Sequence, residues 1–265
     1  MWSVGISASE SESASQLGYD TRQINRIVIR LSQYFLGQNM RVIFGHEWRE
    51  DGVMQSIANY AQVVASQSNA DAIEDGNSHA DSVNLRDRVA TRMINLTPVR
   101  REELSRATVT AERECGEILK VLASNEVVQY VSEQACSSRD VDLSCLDGDS
   151  NREQGAILSA LRHCLTMLLD PGCRICLGGR TRGFKGSEPG VIEEARLALT
   201  YKKPLYLIGG FGGATRQFGT DHQYGGASYW ETENGLSSEE KKSLFDTTDI
   251  ERAVRLILRG INRCH

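Results

Sequence analysis

Two short apolar segments, each ending in a pair of glycines, constrain the fold of this chain more than any other feature. Residues 175–177 precede Gly178-Gly179, and residues 205–208 precede Gly209-Gly210. Continuous apolar segments of this length are typical of strands that are buried on both faces of a sheet. Between them, residues 189–200 carry apolar side chains at helical spacing. The segment therefore predicts a strand-helix-strand unit, with its glycine-rich loops at the edge where open parallel sheets bind ligands.

The length and the composition favour one domain. The chain has 265 residues, of which 40% are hydrophobic, and this is enough to bury a large core. We predict a single α/β domain over residues 1–265, built as a Rossmann-like parallel sheet with helices on both faces. Two polar segments, at about residues 66–88 and 136–150, are predicted to be loops. The second is acidic but lacks the spacing of a calcium-binding EF-hand, so we expect no metal site there.

Charge and cysteine content restrict the location and the partners of the chain. No apolar segment reaches the 18 residues of a membrane-spanning helix, and the amino terminus lacks a secretion signal. We therefore expect a cytoplasmic protein without a membrane partner. The formal net charge of −5 disfavours general binding of nucleic acids. Seven cysteines, an odd number, indicate reduced thiols, and we interpret Cys173 and Cys176 as buried strand residues rather than a metal or redox site.

The first predicted loop at the ligand-binding edge follows a strand that begins near Val4. Its serine hydroxyls and backbone N–H groups suit a phosphate. The alternative is a serine-rich turn that only caps the next helix, predicted over residues 20–36. The candidate ligand-binding residues of this loop are Gly5, Ser7, Ser9 and Glu10.

Polar and aromatic residues gather in the loop that follows the next predicted strand, residues 41–44. Arginine can hold a phosphate through two hydrogen bonds, and tryptophan can stack on a base or a ribose. The alternative is that Trp48 packs beneath the loop while His46 and Arg49 only cap backbone groups. The candidate ligand-binding residues here are Gly45, His46, Trp48 and Arg49.

A basic, glycine-rich loop after residues 175–177 is a further candidate for a phosphate site. Glycines let backbone N–H groups approach an anion, and the following helix offers its positive end. The candidates in this loop and helix are Gly178, Gly179, Arg180, Arg182, Lys185, Gly190 and Glu193. The second glycine loop adds Gly210, Phe211, Gly212 and Gly213, unless it is only a tight packing turn. The glycine spacing does not match the dinucleotide fingerprint, so NAD-dependent hydride transfer is poorly supported.

These motifs together resemble the SLOG superfamily of Rossmann-like domains, which includes relatives of the DNA-processing protein DprA and the LOG cytokinin-activating enzymes. The segments that carry the resemblance are residues 4–11, 17–18, 41–52, 178–180, 186–195 and 203–214. They are most similar to the prokaryotic relatives of the amino-terminal domain of melastatin-type TRP channels (LSDAT). The resemblance implies a site for a nucleotide or a nucleotide-sugar. It also implies a role in bacterial antiviral signalling, where some such domains sense cyclic ADP-ribose-like molecules made by TIR enzymes.

The departures from the superfamily pattern favour binding over catalysis. LOG enzymes carry a Pro-Gly-Gly-x-Gly-Thr-x-x-Glu signature, whereas residues 188–194 read Glu-Pro-Gly-Val-Ile-Glu-Glu, without Gly-Thr. We therefore expect a sensor of an ADP-ribose-like or cyclic nucleotide signal, acting through a homo-oligomer or a separate effector chain. The alternative is a nucleotide N-glycosidase or phosphoribohydrolase that uses Glu193 or Glu194 as its catalytic carboxylate, with Arg180. A scaffold with a degenerate site is a third hypothesis, and residues 217–230 fit either a lid or a partner surface.

Overall fold

The architecture is one parallel sheet with helices on both faces. The computed structural model describes residues 1–45, 53–74, 91–134, 146, 154–221, 224 and 226–264. In these residues six parallel strands lie in the order β4-β3-β2-β1-β5-β6. They are β1 (Ser3–Ser9), β2 (Arg41–Gly45), β3 (Met93–Leu96), β4 (Leu119–Leu122), β5 (Gly172–Gly178) and β6 (Leu205–Ile208). The predicted Rossmann-like α/β class is therefore confirmed.

The strand order reverses its direction between β1 and β5. From β1 the chain adds β2, β3 and β4 on one side of the sheet, and then returns to add β5 and β6 on the other side. β1 and β5 are paired along their whole length, from Ser3 opposite Gly172 to Ser9 opposite Gly178. In open α/β sheets, a reversal of this kind leaves a crevice at the carboxyl ends of the two central strands.

The helices cover the sheet in two layers. They are α1 (Glu12–Gln16), α2 (Thr21–Gly37), α3 (Val53–Glu74), α4 (Arg106–Cys115), α5 (Ser124–Gln134), α6 (Gln154–Met167), α7 (Gly190–Thr200), α8 (Gly213–Thr220), α9 (Gly226–Glu231), α10 (Ser238–Asp246) and α11 (Ile250–Cys264). Helices α2, α3, α4 and α11 share one apolar core with one face of the sheet. Helices α5 and α6 pack on the other face beside β2 and β3, and α7 and α8 pack there beside β5 and β6.

Side chains of β1 alternate between these two layers. Ile6 belongs to the core that contains α2 and α3. The next residue, Ser7, points to the opposite layer, where its hydroxyl donates a hydrogen bond to Glu194 of α7. Because successive residues of a strand face opposite sides of a sheet, the end of β1 presents an apolar side chain to one helix layer and a polar one to the other.

The first polar segment is helical where the structure describes it. A loop was expected from about residue 66, but α3 continues to Glu74. Residues 53–74 contain no glycine or proline and several alanines, so the backbone can remain helical although large apolar side chains become rare. The rest of this predicted loop, residues 75–88, lies outside the described residues.

The second polar segment is described at one position. Leu146 is buried, with 3% of its surface exposed, and packs in the core beside α5 and α6. The prediction of a solvated loop is therefore wrong at this residue, since an isolated leucine in a polar stretch can still be drawn into the core. The other residues from 136 to 150 lie outside the described part of the chain.

The sequence interpretation also missed a strand. Residues 102–122 have helical character, but the structure divides them into short 3-10 turns, helix α4 and strand β4. Gly116 follows α4 with a φ of 55°, a value that glycine adopts readily, and the chain then turns into β4. A four-residue strand is too short for its alternation to be distinguished from helical spacing. β3 is also a four-residue strand, Met93–Leu96.

A helix that crosses a lipid bilayer must be both long and predominantly apolar. None of the described helices combines these two properties.

Candidate functional site

A cleft of about 690 Å³ opens at the carboxyl ends of β1, β2 and β5. Its volume lies within the range of small-molecule sites, and it lies where the strand order reverses. Helices α2 and α3 border it from one layer, and α6 and α7 border it from the other. The loop between β5 and α7 contributes further residues to its lining. Of the residues predicted from the sequence, the cleft lining includes Ser7, Ser9, Glu10, Gly45, Arg180, Lys185, Gly190 and Glu194.

A buried polar network lies beneath one side of the cleft. Glu194 Oε2 accepts hydrogen bonds from the Ser7 hydroxyl and from Arg174 Nη1, the latter at 3.1 Å. Arg174 is fully buried in β5, and its second terminal nitrogen donates to Thr166 Oγ1 of α6 at 3.1 Å. A buried guanidinium needs carboxylate or hydroxyl acceptors to offset its desolvation. The network therefore fixes the Glu194 carboxylate at the edge of the cleft.

A second arginine links the two acidic residues at the start of α7. Arg162 of α6 donates a hydrogen bond to Glu193 Oε2, and its Nε lies 3.7 Å from Glu194 Oε1. The other Glu193 oxygen accepts from the hydroxyl of Ser159. Arg162 and Glu194 line the cleft, whereas Glu193 is held against α6 and does not. Of the two candidate catalytic carboxylates, Glu194 is thus the one that a ligand in the cleft would contact.

Gly190 lets α7 begin close to the Arg162 side chain. A Cβ atom at position 190 would lie 2.5 Å from Arg162 Nη2, so any larger residue would displace the guanidinium. The backbone N–H groups in the first turn of a helix have no acceptors within that helix, and they carry a partial positive charge. Because Gly190 and Val191 line the cleft, this positive helix end borders the same space as Glu194.

The rim of the cleft on the side of the basic loop is charged. Arg180 forms an ion pair with Glu10, and its backbone N–H donates to Ser9 Oγ at 3.3 Å. The hydrogen bond from Arg180 lowers the pKa of Glu10 below its usual value, so this carboxylate stays ionised near neutral pH. Lys185 lines the cleft, and Arg182 is exposed in the same loop without lining it. The three cations of the sequence prediction therefore do not have equal access to the cleft.

Several predicted ligand-binding glycines serve close packing instead of lining the cleft. Gly178 has a φ of 61°, and a Cβ atom there would lie 2.5 Å from the Ser9 carbonyl oxygen. Gly179 is similarly tight against Val191, since an added Cβ atom would lie 2.9 Å from Cγ2 of that side chain. Gly5 lies under Arg174, since an added Cβ atom would be 2.8 Å from Nη1. These residues let the strands and the buried network approach one another.

The second glycine loop is a packing turn. The backbone N–H of Gly213 donates to Ser13 Oγ at 2.7 Å, and that of Ala214 donates to the Gly179 carbonyl oxygen at 2.8 Å. Phe211 is fully buried, with its ring 4.8 Å from that of Tyr19 in an edge-on contact. The structure does not bring Gly210, Phe211, Gly212 or Gly213 to the cleft lining. The alternative interpretation, a tight turn that holds α8 against the sheet, matches this geometry.

Other sequence candidates lie away from the cleft or outside the described residues. His46, Trp48 and Arg49 fall in residues 46–52, which lie outside the described residues. In the segment 217–230, the Trp230 indole donates to the Gly219 carbonyl oxygen at 2.9 Å, and Tyr229 is buried beside it. These two aromatic side chains pack beside α8 and β6, on the far side of β5 from the cleft.

The CxxC cysteines belong to the sheet core. Cys173 and Cys176 are both buried in β5, and neither forms a disulfide. Burial raises the pKa of each thiol to about 12. A metal ligand or a redox nucleophile requires an accessible thiolate. The geometry therefore matches the interpretation of these cysteines as structural residues.

Sequence reasoning missed the two arginines that organise the cleft. Arg174 lies in an otherwise apolar strand segment, and a charged residue at such a position requires a buried partner. That requirement is the signal that identifies it. Arg162 gives no comparable signal, because charged residues are common on helix surfaces and its partners on α7 are about 30 residues away along the chain. The interpretation also omitted Asn25 and Phe184, which line the cleft.

The chain was compared with known proteins and protein families. A search of curated proteins gives no match. A family model described as SLOG cluster2 matches residues 1–223, which is most of the chain and includes β1 to β6. The match therefore covers the strands and the loops that form the cleft. On this evidence the chain belongs to the SLOG superfamily, in the family described as SLOG cluster2.

Proposed function

We propose that the cleft binds a nucleotide-derived ligand, of the ADP-ribose or cyclic nucleotide class, and that the chain acts as a sensor of this ligand. Membership of SLOG suggests a nucleotide-related function. The observation that carries the proposal is the cleft at the β1-β5 reversal, where the buried Glu194 network, the basic loop and the start of α7 border one space. Open α/β sheets bind nucleotides at such a position.

The basic loop and α7 would hold the phosphate groups. Arg180 and Lys185 supply two cations to the cleft lining, and the first turn of α7 supplies backbone N–H groups. The glycines of the loop allow a close approach of its backbone, since Gly183 and Gly186 have φ values of 63° and 109°. A diphosphate suits this arrangement better than a neutral sugar does.

Glu194 and Ser7 would hold the ribose. An ionised carboxylate accepts hydrogen bonds from ribose hydroxyl groups, as acidic residues do in other dinucleotide-binding folds. Arg174 and the Ser7 hydroxyl keep this carboxylate in one orientation, which reduces the entropy cost of binding. Glu193 would act indirectly, by holding Arg162 beside Glu194.

The biological context that we propose is bacterial antiviral or stress signalling. It is supported by the similarity of the sequence motifs to the LSDAT relatives of melastatin-type channels. In this proposal the ligand shifts the population of two states of the chain, and the output passes to a homo-oligomer or a separate effector chain.

A ligand screen tests the binding proposal. Thermal unfolding would be measured with ADP-ribose, its cyclic isomers, AMP, ATP, NAD and cyclic dinucleotides, because a ligand of the native state raises the melting temperature. We expect at least one of these to bind, and Arg180→Ala with Lys185→Ala to weaken it. Lys242→Ala is the matched control, because it removes an exposed cation of α10 that does not line the cleft. Equal affinity in all variants would refute the proposed phosphate site.

The position of Glu194 supports a second candidate function, cleavage of a nucleotide N-glycosidic bond. Glycoside hydrolysis passes through a transition state with positive charge on the sugar, which a fixed carboxylate stabilises. Chromatography of each bound ligand after incubation distinguishes the two functions. Intact ligand supports the sensor, whereas release of a free base that Glu194→Gln abolishes and Glu193→Gln only reduces supports the enzyme.

A further inference from the structure

The two sides of the cleft differ in chemistry because they come from opposite layers of the sheet. The side formed by α6 and α7 presents the charged side chains Arg162 and Glu194, together with Leu158 and Val191. The side formed by α2 and α3 presents Ile24, Val28, Val53 and Met54, together with Phe44 at the end of β2. We refer to these five residues as the apolar wall. Ile6 and Ser7 of β1, which face opposite layers, mark the boundary between the two sides.

The phosphate groups and the ribose of a ligand need polar partners and not an apolar surface. A ligand made of these groups alone would therefore leave the apolar wall without a function. Ile24, Val28, Phe44 and Met54 also belong to the core beneath the cleft, so the wall is a rigid extension of that core. Ile24, Val28, Phe44 and Met54 expose only 2% to 7% of their surface and Val53 is half-buried, so the wall offers a limited apolar area that the face of one flat group could cover. The only parts of a nucleotide with this character are the faces of its base.

Phe184, in the loop between β5 and α7, adds an aromatic ring to the cleft lining. It lies in the basic loop, between Arg182 and Lys185, and 36% of its surface is exposed. A large aromatic residue gains less stability at such a position than in the core, because a substantial part of its surface stays in water in the free protein. Aromatic rings stack on nucleobases with little dependence on base identity.

Asn25, like Thr21, is a polar residue of α2 on the apolar side of the cleft. It lies on α2 between Ile24 and Val28, lines the cleft with them, and is exposed. Its amide offers a hydrogen-bond donor and an acceptor together, which match the donor and acceptor on the edge of a base such as adenine. An aliphatic residue at this position would lack both groups, and a charged residue would lack one of them.

We propose that the nucleobase of the ligand lies against the apolar wall, stacks on Phe184, and is recognised at its edge by Asn25. This inference rests on the proposed function and deepens it, because it requires the ligand to carry a base. A sugar phosphate would use only Glu194, Ser7 and the basic loop. The site therefore selects a nucleoside phosphate or diphosphate over the corresponding phosphorylated sugar.

Matched ligands with and without a base test this inference. Calorimetric titration would compare AMP and ADP-ribose with ribose 5-phosphate, and we expect the base to raise the affinity about 10- to 100-fold, as stacking on an aromatic side chain does. Phe184→Ala should remove most of this difference, and Phe184→Tyr should retain it. Asn25→Leu should weaken the adenine nucleotides about 2- to 10-fold, the effect of one or two neutral hydrogen bonds, without changing ribose 5-phosphate.

The control is Arg26→Ala, an exposed residue next to Asn25 on α2 that does not line the cleft. Nucleotides that bind no better than ribose 5-phosphate would overturn the inference but leave the phosphate and ribose sites of the proposed function intact. Absence of binding by every nucleotide in the screen would overturn both. If Phe184→Ala weakened the binding of ribose 5-phosphate and AMP equally, this would also contradict the inference. Such a result would show that Phe184 maintains the conformation of the loop and does not contact the base.

Discussion

Arg174 Nη1 lies 3.1 Å from Glu194 Oε2, and this contact joins the central strand β5 to the helix that borders the cleft. The Arg174 side chain is fully buried and that of Glu194 is 15% exposed. A pair in this position has two roles that the sequence alone does not separate. It neutralises a charge inside the sheet, and it fixes a carboxylate where a ligand can reach it.

Replacing Arg174 should affect stability more than replacing a surface arginine. We expect Arg174→Met to lower the free energy of unfolding by about 3 kcal/mol, because it leaves Glu194 without its buried partner. The double variant Arg174→Met/Glu194→Gln should recover part of this loss, since both members of the pair are then neutral. Urea denaturation of the single and double variants measures the coupling. Strictly additive losses would show that the two side chains do not stabilise each other.

In the proposed site, Glu10 would compete with an anionic ligand for Arg180, with which it forms an ion pair. We expect Glu10→Gln to strengthen the binding of ADP-ribose about 2- to 5-fold, the effect expected of an exposed ion pair. Glu12→Gln is a matched control, because it removes the same charge from an exposed residue of α1 that does not line the cleft. Equal gains in both variants would mean that overall charge, and not the contact with Arg180, sets the affinity.

The direction of the Glu10 pKa shift gives the pH dependence of this competition. The hydrogen bond from Arg180 lowers the pKa below 4.5, so Glu10 remains ionised in the folded state throughout pH 5 to 8. The stabilising contribution of the pair is present above the unfolded pKa and is lost only as the pH falls through the lower folded pKa. The ratio of affinities between Glu10→Gln and the unaltered protein should therefore be constant from pH 5 to 8. A ratio that falls towards 1 near pH 6 would contradict the assigned pKa direction.

Gly213 should be needed for packing and not for ligand contact. It has a φ of 66°, and an added Cβ atom would lie 2.5 Å from the Gly179 carbonyl oxygen. We expect Gly213→Ala to lower the free energy of unfolding by about 2 kcal/mol or more through backbone strain and displacement of α8. Gly18→Ala isolates the strain, since φ there is 86° with no atom within 4 Å of an added Cβ, and it should lose only about 1 kcal/mol. Similar losses in the two variants would show that the contact with Gly179 is unimportant.

The sequence predicted the architecture because the strands next to the cleft are apolar and end at glycine. Residues 41–44, 175–177 and 205–208 all lie within strands, and the predicted helix 189–200 agrees with α7. β4 was missed because a four-residue strand directly after a helix leaves no distinctive periodicity. Local pattern is therefore informative where an element is long or bounded by turn residues.

The candidate site was only partly predictable, because its chemistry depends on contacts between distant segments. Glycine-rich loops suggested ligand binding at both Gly178-Gly179 and Gly212-Gly213. In the structure these two pairs pack against each other: the Ala214 backbone N–H donates to the Gly179 carbonyl oxygen. A glycine that permits the approach of a ligand and one that permits the approach of another backbone look alike in a sequence. Neither pair lines the cleft, and only the tertiary fold shows this.

The cysteines of β5 provide a test of the structure that does not depend on any ligand. Burial raises the pKa of Cys173 and Cys176 to about 12, so at pH 8 only about one thiol in ten thousand would be ionised even if it were accessible. We expect iodoacetamide to leave both unmodified in the native protein while it alkylates the exposed Cys264. Peptide mass spectrometry measures the labelling of each site, and labelling in denaturant is the control that all three thiols are free. Rapid native labelling of Cys173 or Cys176 would show that β5 is not buried on both faces, and the fully buried position of Arg174 between them would then also be wrong.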